Sequence, residues 1–186
     1  MVETAQLSDE QIIEIVREKN QNLYAEIIKR YEAKLTRYLR RFVRDSDELS
    51  DIIQDVFIKT YQNLHDFDIN KKFSSWIYRI AHNEALNHTK RNKNKISLDE
   101  KEMDILDESL DLKNDTDRRL LSVQIGDALQ KIKDKYREAI ILFYLEEKTY
   151  DEVSDIMHVP RNTAGTLISR GKQALKKQLE KQPYGK

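Results

Sequence analysis

Thr149-Tyr150-Asp151-Glu152-Val153-Ser154-Asp155-Ile156-Met157-His158-Val159-Pro160-Arg161-Asn162-Thr163 is the stretch from which the fold can be read. Thr149 and Glu152 stand three apart, as a capping box requires, so a helix starts at Tyr150. Val153, Ile156 and Met157 give it one apolar face, and it must stop at His158-Val159-Pro160, since proline cannot continue a helix but suits the opening of one. The next helix then runs from Arg161 to Lys181, with Ala164, Leu167 or Ile168, Leu175 and Leu179 inward. A short helix, a turn and a second, basic helix can present side chains to the major groove of DNA. The same pattern alone also suits a helical hairpin with a solvated basic face. Near the start of the second helix Arg161, Asn162, Thr163 and Thr166 are exposed and can donate to phosphates or base edges, and Arg170, Lys172, Lys176 and Lys177 can hold the backbone.

The chain of 186 residues has 39% hydrophobic and 35% charged residues, with only four Gly and two Pro. Few turn formers and modest apolar content favour an all-α architecture. With no Cys, disulfides, thiolate metal sites and thiol catalysis are excluded. The N-terminus lacks a signal-peptide pattern, and the run Ala139 to Leu145 is too short to span a bilayer, so a cytoplasmic protein without membrane insertion is expected. Formal charge is zero but segregated. Ile96 to Asp117 holds nine acids and two lysines, net −7, and Arg161 to Lys186 holds seven basic residues and one Glu, net +6. The acidic span is poor in hydrophobes and reads as a flexible linker over 96–117 between two small helical domains, 1–95 and 118–186.

In the first domain, Ser8 and Gln11 form a capping pair for a helix starting near Ser8. Leu23, Ile27, Tyr31, Leu35, Tyr38 and Phe42 make one apolar stripe on a long helix. A third helix covers about Asp47 to Leu64, with Leu49, Ile53, Val56, Phe57, Thr60, Tyr61 and Leu64 inward and Asp51, Gln54, Asp55 and Lys59 outward. After the polar break His65 to Lys72, Phe73-Ser74-Ser75-Trp76-Ile77 is a cap followed by a helix that reaches the basic residues Lys90, Arg91, Lys93 and Lys95. By spacing alone, Asp51, Gln54 and Asp55 are an ordinary solvated face, and a lone Trp76 is core.

Two motifs change that balance. Asp51-Ile52-Ile53-Gln54-Asp55-Val56-Phe57 and Phe73-Ser74-Ser75-Trp76-Ile77-Tyr78-Arg79-Ile80-Ala81-His82-Asn83 resemble the polymerase-binding and promoter-melting helices of bacterial sigma factors of the extracytoplasmic-function group. The segment from Tyr136-Arg137-Glu138-Ala139 to Arg170-Gly171-Lys172 resembles that group's C-terminal domain. The resemblance covers essentially the whole chain. It implies a transcription initiation factor that catalyses nothing itself and needs no cofactor. Its implied partners are core RNA polymerase, both promoter elements, and an anti-sigma factor that occludes these surfaces. It further implies polymerase contact by Asp51, Gln54, Asp55, Phe57 and Lys59. Phe67, Asn70, Phe73, Trp76 and Asn83 would surround a base of the opened strand, while Lys71, Lys72, Arg79, Lys90 and Arg91 track phosphates.

The chain departs from the group mainly in the recognition helix, where Asn162 replaces the usual Gly and Gly165 and Leu167 stand where cations are expected. Gly165 costs a helix about 1 kcal/mol relative to Ala. His158 occupies a turn position where Gly is usual and positive φ is often needed, which His tolerates better than most residues.

Three other readings compete. A free-standing helix-turn-helix repressor would need a dimer seam, and no heptad supplies one. Gly165 to Lys172 is superficially like a phosphate loop but has five residues between its glycines and Gln173 where Ser or Thr is required. A structural adaptor leaves the paired motifs unexplained. His65, His82, His88 and His158 lack paired metal-ligand spacing and read as surface or capping residues.

Overall fold

The computed structural model describes residues 6–43, 45–92 and 116–181, which contain eight α-helices and no strand. They form two compact units, α1 to α4 and α5 to α8. Of the expected linker, residues 96–115 lie outside the described residues, whereas Thr116 and Asp117 already belong to the first turn of α5.

In the first unit, α1 (Asp9–Glu18) opens with the full capping box: Ser8 Oγ accepts from the Gln11 N–H and Gln11 Oε1 from the Ser8 N–H. It buries Ile12, Ile13 and Val16. The expected long second helix is shorter at both ends. Leu23 belongs to a 3-10 turn, Gln21–Leu23, which the Asn20 side chain opens by accepting from the Asn22 N–H, and α2 (Tyr24–Leu39) ends three residues before Phe42. Phe42 still packs its ring edge-on against Tyr38, 5.5 Å away, so the apolar stripe outlasts the helix that began it.

Asp45 caps α3 (Ser46–Gln62) by accepting from two backbone N–H groups. Leu49, Ile53, Val56, Phe57 and Thr60 are buried as the pattern predicts, and so is Ile52. Tyr61, expected inside, is 38% exposed and lies against the ring of Tyr24. Leu64 is buried, but in a 3-10 turn, Leu64–Asp66. Helix α4 (Phe73–Asn92) buries Phe73, Ile77, Tyr78, Ala81 and Ala85 against its neighbours. Phe73 is the first helical residue rather than part of a cap; its N–H is satisfied by Glu10 of α1. His82 is a correction to the surface reading. It is buried, with Nδ1 3.3 Å from the Tyr38 hydroxyl. Burial pushes the Tyr24 and Tyr31 phenols well up, so both stay neutral donors, Tyr24 to the Phe57 carbonyl and Tyr31 to Asp9.

The second unit packs α5 (Thr116–Gln130), α6 (Asp134–Ile140), α7 (Tyr150–Ile156) and α8 (Arg161–Leu179). Leu129, Ile132, Ile140 and Ile141 form a core cluster, with Ile125, Tyr136, Ala174 and Leu175 against it. After α6 the chain widens into a π-helical turn, Ile141–Leu145, in which the Glu146 N–H reaches back to the Ile141 carbonyl, and Glu147 leaves it with φ 51°. Helices α6 and α8 approach closely at Gly171. A Cβ there would lie 2.9 Å from both the Tyr136 carbonyl oxygen and the Ile140 side chain, closer than packed carbon atoms stand.

Candidate nucleic-acid interface

The helix-turn-helix closes as its sequence demands. Thr149 and Glu152 make the capping box of α7, and Pro160 stands immediately before α8. Between them Ser154 Oγ donates to the Val159 carbonyl (2.6 Å), the Val159 N–H returns to the Ser154 carbonyl (3.1 Å), and His158 adopts φ 52°. The bond to the Ser154 carbonyl satisfies one of the groups that the end of α7 would otherwise leave open. Both Leu167 and Ile168 are buried, with Ala164, which fixes the rotation of α8 and leaves Arg161, Asn162, Thr163, Thr166, Arg170, Lys172, Lys176 and Lys177 exposed. Gly165 to Lys172 lies wholly inside this helix, a straight backbone that cannot cradle a phosphate as a loop does.

A shallow groove runs along α8 beside Tyr150, walled by Asn162, Thr166, Ser169 and Gln173 and flanked by Arg161 and Arg170. Tyr150, Ser169 and Gln173 were not among the sequence candidates. Extending the Asn162–Thr166 spacing by one and two further turns would have found Ser169 and Gln173. Thr166 Oγ1 donates to the Asn162 carbonyl (2.8 Å), so outward it offers an acceptor and a methyl group rather than a donor. Arg161 pairs with Asp151 at 2.6 Å, both largely exposed, and Lys176 stands 3.7 Å from Glu180.

In the first unit, Asp51, Gln54 and Asp55 form an exposed face on α3. Ile58 joins them one turn on, 52% exposed; sequence reading missed it because it follows Val56 and Phe57 in an apolar run. Phe57 does not share this face. It is buried, because helix rotation sets it on the inner side with Ile53 and Thr60, and its carbonyl accepts from the Tyr24 hydroxyl. Lys59 is partly exposed and pairs with Glu84 of α4.

Around the start of α4 the aromatic residues divide. Phe67 and Phe73 are buried, edge to face at 5.4 Å, so neither has a free face for a base, contrary to the sequence expectation; packing against α1 and Tyr31 claims both rings. Trp76, whose ring centroid is 5.2 Å from that of Phe67 and 5.8 Å from that of Phe73, is the member of this cluster that reaches solvent. Asn70, Lys71, Lys72, Asn83, Lys90 and Arg91 are exposed and Arg79 is half-buried. Asp68 Oδ1 accepts from both the backbone and the side-chain N–H of Asn70, first the backbone bond and then the side-chain bond holding its carboxyl below the usual range. Asn70 is thereby a turn former as well as a surface group.

No described helix is long and apolar enough to cross a membrane. Residues 27–95 match Sigma-70 region 2, and residues 122–175 match Sigma-70 region 4. The ECF RNA polymerase sigma factor SigW of Bacillus subtilis is 33% identical over 178 residues, covering 90% of this chain and 94% of its own. Among solved structures, CnrH in complex with the cytosolic domain of CnrY matches with TM-score 0.68 at 19% identity, over 92% of this chain and 97% of its own. The sigma factor RpoE of Bartonella quintana, in complex with the anti-sigma factor NepR, matches with TM-score 0.66 at 20% identity, over 84% and 96%. An exposed helix face and a short aromatic-lined segment in one unit, a helix-turn-helix in the other, and these matches in the same order make the chain a member of the sigma-70 family, in its extracytoplasmic-function group: a transcription initiation factor of RNA polymerase.

Proposed function

We propose that the two units divide the work of initiation. The unit within residues 1–95 docks on core RNA polymerase through the outer face of α3 and receives the opened downstream strand beside Trp76. The unit from α5 onward reads the upstream duplex element with α8, and the acidic stretch after residue 95 spans between them. The carrying observation is Ile58, a half-exposed aliphatic side chain set among Asp51, Gln54 and Asp55. Such a face suits a partner with a basic rim and an apolar centre, since burying one Ile side chain is worth about 1.5–3 kcal/mol. Trp76 supplies the one solvent-reaching ring of its aromatic cluster on which a base can stack, with Lys71 and Lys72 nearby in sequence for phosphates. In the second unit Asn162 and Gln173 can pair with base edges while Arg170 and Lys172 hold the backbone. The protein itself performs no chemistry and works in the cytoplasm. An anti-sigma factor, as seen with the Bartonella quintana relative, would silence it by covering the α3 face.

Replacing Ile58 and Gln54 by alanine should weaken comigration with core polymerase by about tenfold or more, roughly 1.4 kcal/mol, with the melting temperature little changed because both side chains are solvent-exposed. Unchanged affinity removes the α3 face from the docking site. Failure of the unaltered protein to bind active core, with duplex binding retained, would favour the free-standing helix-turn-helix repressor instead.

A further inference from the structure

Helix α1 has no assigned contact with polymerase or DNA, yet two of its polar side chains are spent on the backbone of a distant segment. Arg17 Nε donates to the Leu64 carbonyl at 2.8 Å, and its Nη2 donates to the carbonyls of both Leu64 and Phe67. The same guanidinium lies 5.8 Å from the centre of the Phe67 ring. About two turns earlier on α1, Glu10 Oε1 accepts from the Phe73 N–H at 3.0 Å. The segment between these anchors, Asp68 to Lys72, is mostly exposed and is shaped internally only by the Asp68–Asn70 turn and the bond from the Lys71 N–H to the Asp68 carbonyl. Both of its ends are therefore held by one helix. That helix is itself fixed, by buried Ile12, Ile13 and Val16 and by Asp9, which accepts from Arg30 and Tyr31.

We propose that Arg17 and Glu10 are positioning residues for promoter opening: they hold residues 64–73 so that the exposed groups of 68–72 and the ring of Trp76 stand ready for the unpaired strand. The inference rests on the strand-capture reading given above. Arg17 bridges two carbonyls with one planar fork, which the single ammonium of lysine cannot reproduce. Glu10 supplies an acceptor to the first N–H of α4, a group that the helix cannot satisfy itself, and a neutral amide oxygen would serve nearly as well. Neither residue belongs to the α3 face or to the second unit, so their loss should spare both core binding and duplex binding.

The test uses the full chain with core polymerase and a promoter fragment selected from randomised duplex DNA by the unaltered holoenzyme, carrying 2-aminopurine where that holoenzyme opens it. R17A should slow the fluorescence rise by about tenfold, in keeping with the loss of charge-assisted bonds to two carbonyls. R17K should recover only part. E10A should slow opening severalfold and E10Q should open nearly as the parent does, while core affinity and closed-complex formation stay within about twofold. Y24F, which removes a hydrogen bond to the Phe57 carbonyl and none to the segment, separates positioning from general loosening: it should lower the melting temperature without slowing opening. Opening by R17A at the parent rate overturns the inference, as does an equal slowing in Y24F at equal loss of stability. Failure of the unaltered holoenzyme to open any selected fragment overturns the strand-capture reading itself, whatever the variants do.

Discussion

The two units present their exposed faces in opposite ways. In the second, the turn that starts the reading helix is shaped by contacts between near neighbours in sequence: Thr149 with Glu152, Ser154 with Val159, Asp151 with Arg161. In the first, the groups that shape the segment before α4 come from far away, Arg17 reaching 47 residues to Leu64 and Glu10 reaching 63 to Phe73. Local contacts form at little entropic cost, whereas distant ones need the rest of the unit to fold first. The turn of the helix-turn-helix is therefore specified locally, and the strand-capture segment is a product of the whole first unit.

The sharpest way to break this contrast is to empty the first unit's aromatic core. Phe73→Ala should cost about 3–5 kcal/mol, the range for truncating a fully buried aromatic, measured by denaturant unfolding followed through Trp76, the only tryptophan. A small cost would mean that Phe73 is free to face a ligand after all. Next, Gly171→Ala should destabilise the second unit by about 1–3 kcal/mol, because its Cβ meets the Tyr136 carbonyl as well as the Ile140 side chain. Circular dichroism should show that loss while the Trp76 transition stays in place; a shift in Trp76 would show that the units are coupled. The smallest effect has the opposite sign. Gly165→Ala, on the same helix, meets only the Tyr150 ring at 3.8 Å and should stabilise the second unit by up to about 1 kcal/mol through helix propensity alone, read as a rise in its melting temperature.

The same division decides what could be read from the chain. The capping boxes at Ser8 and Thr149, the stop at Pro160 and the left-handed His158 depend on residues within a few positions of one another, and all appear in the structure. Periodicity also identified most of the buried side of α3 and its exposed Asp51, Gln54 and Asp55. Phe67 and Phe73 were misread because a motif says which residues stand together, while their burial is decided by Arg17 and Tyr31, distant in sequence. Ile58 escaped notice for the converse reason, an apolar residue in an apolar run whose exposure only helix rotation reveals. Gly171 carried no signal at all, since its need is set by how closely α6 approaches α8.

The Asp151–Arg161 pair bears on how tightly salt would control the proposed duplex contact. A free arginine that meets a phosphate displaces a condensed cation from the DNA, and each such exchange steepens the fall of affinity with ionic strength. Arg161 already carries a carboxylate as its counterion, so its transfer to a phosphate swaps one anion for another and returns less to the bulk. With Asn162, Thr166, Ser169 and Gln173 uncharged along the groove, the second unit's hold on DNA should depend less steeply on salt than the basic residues of α8, counted one by one, would suggest.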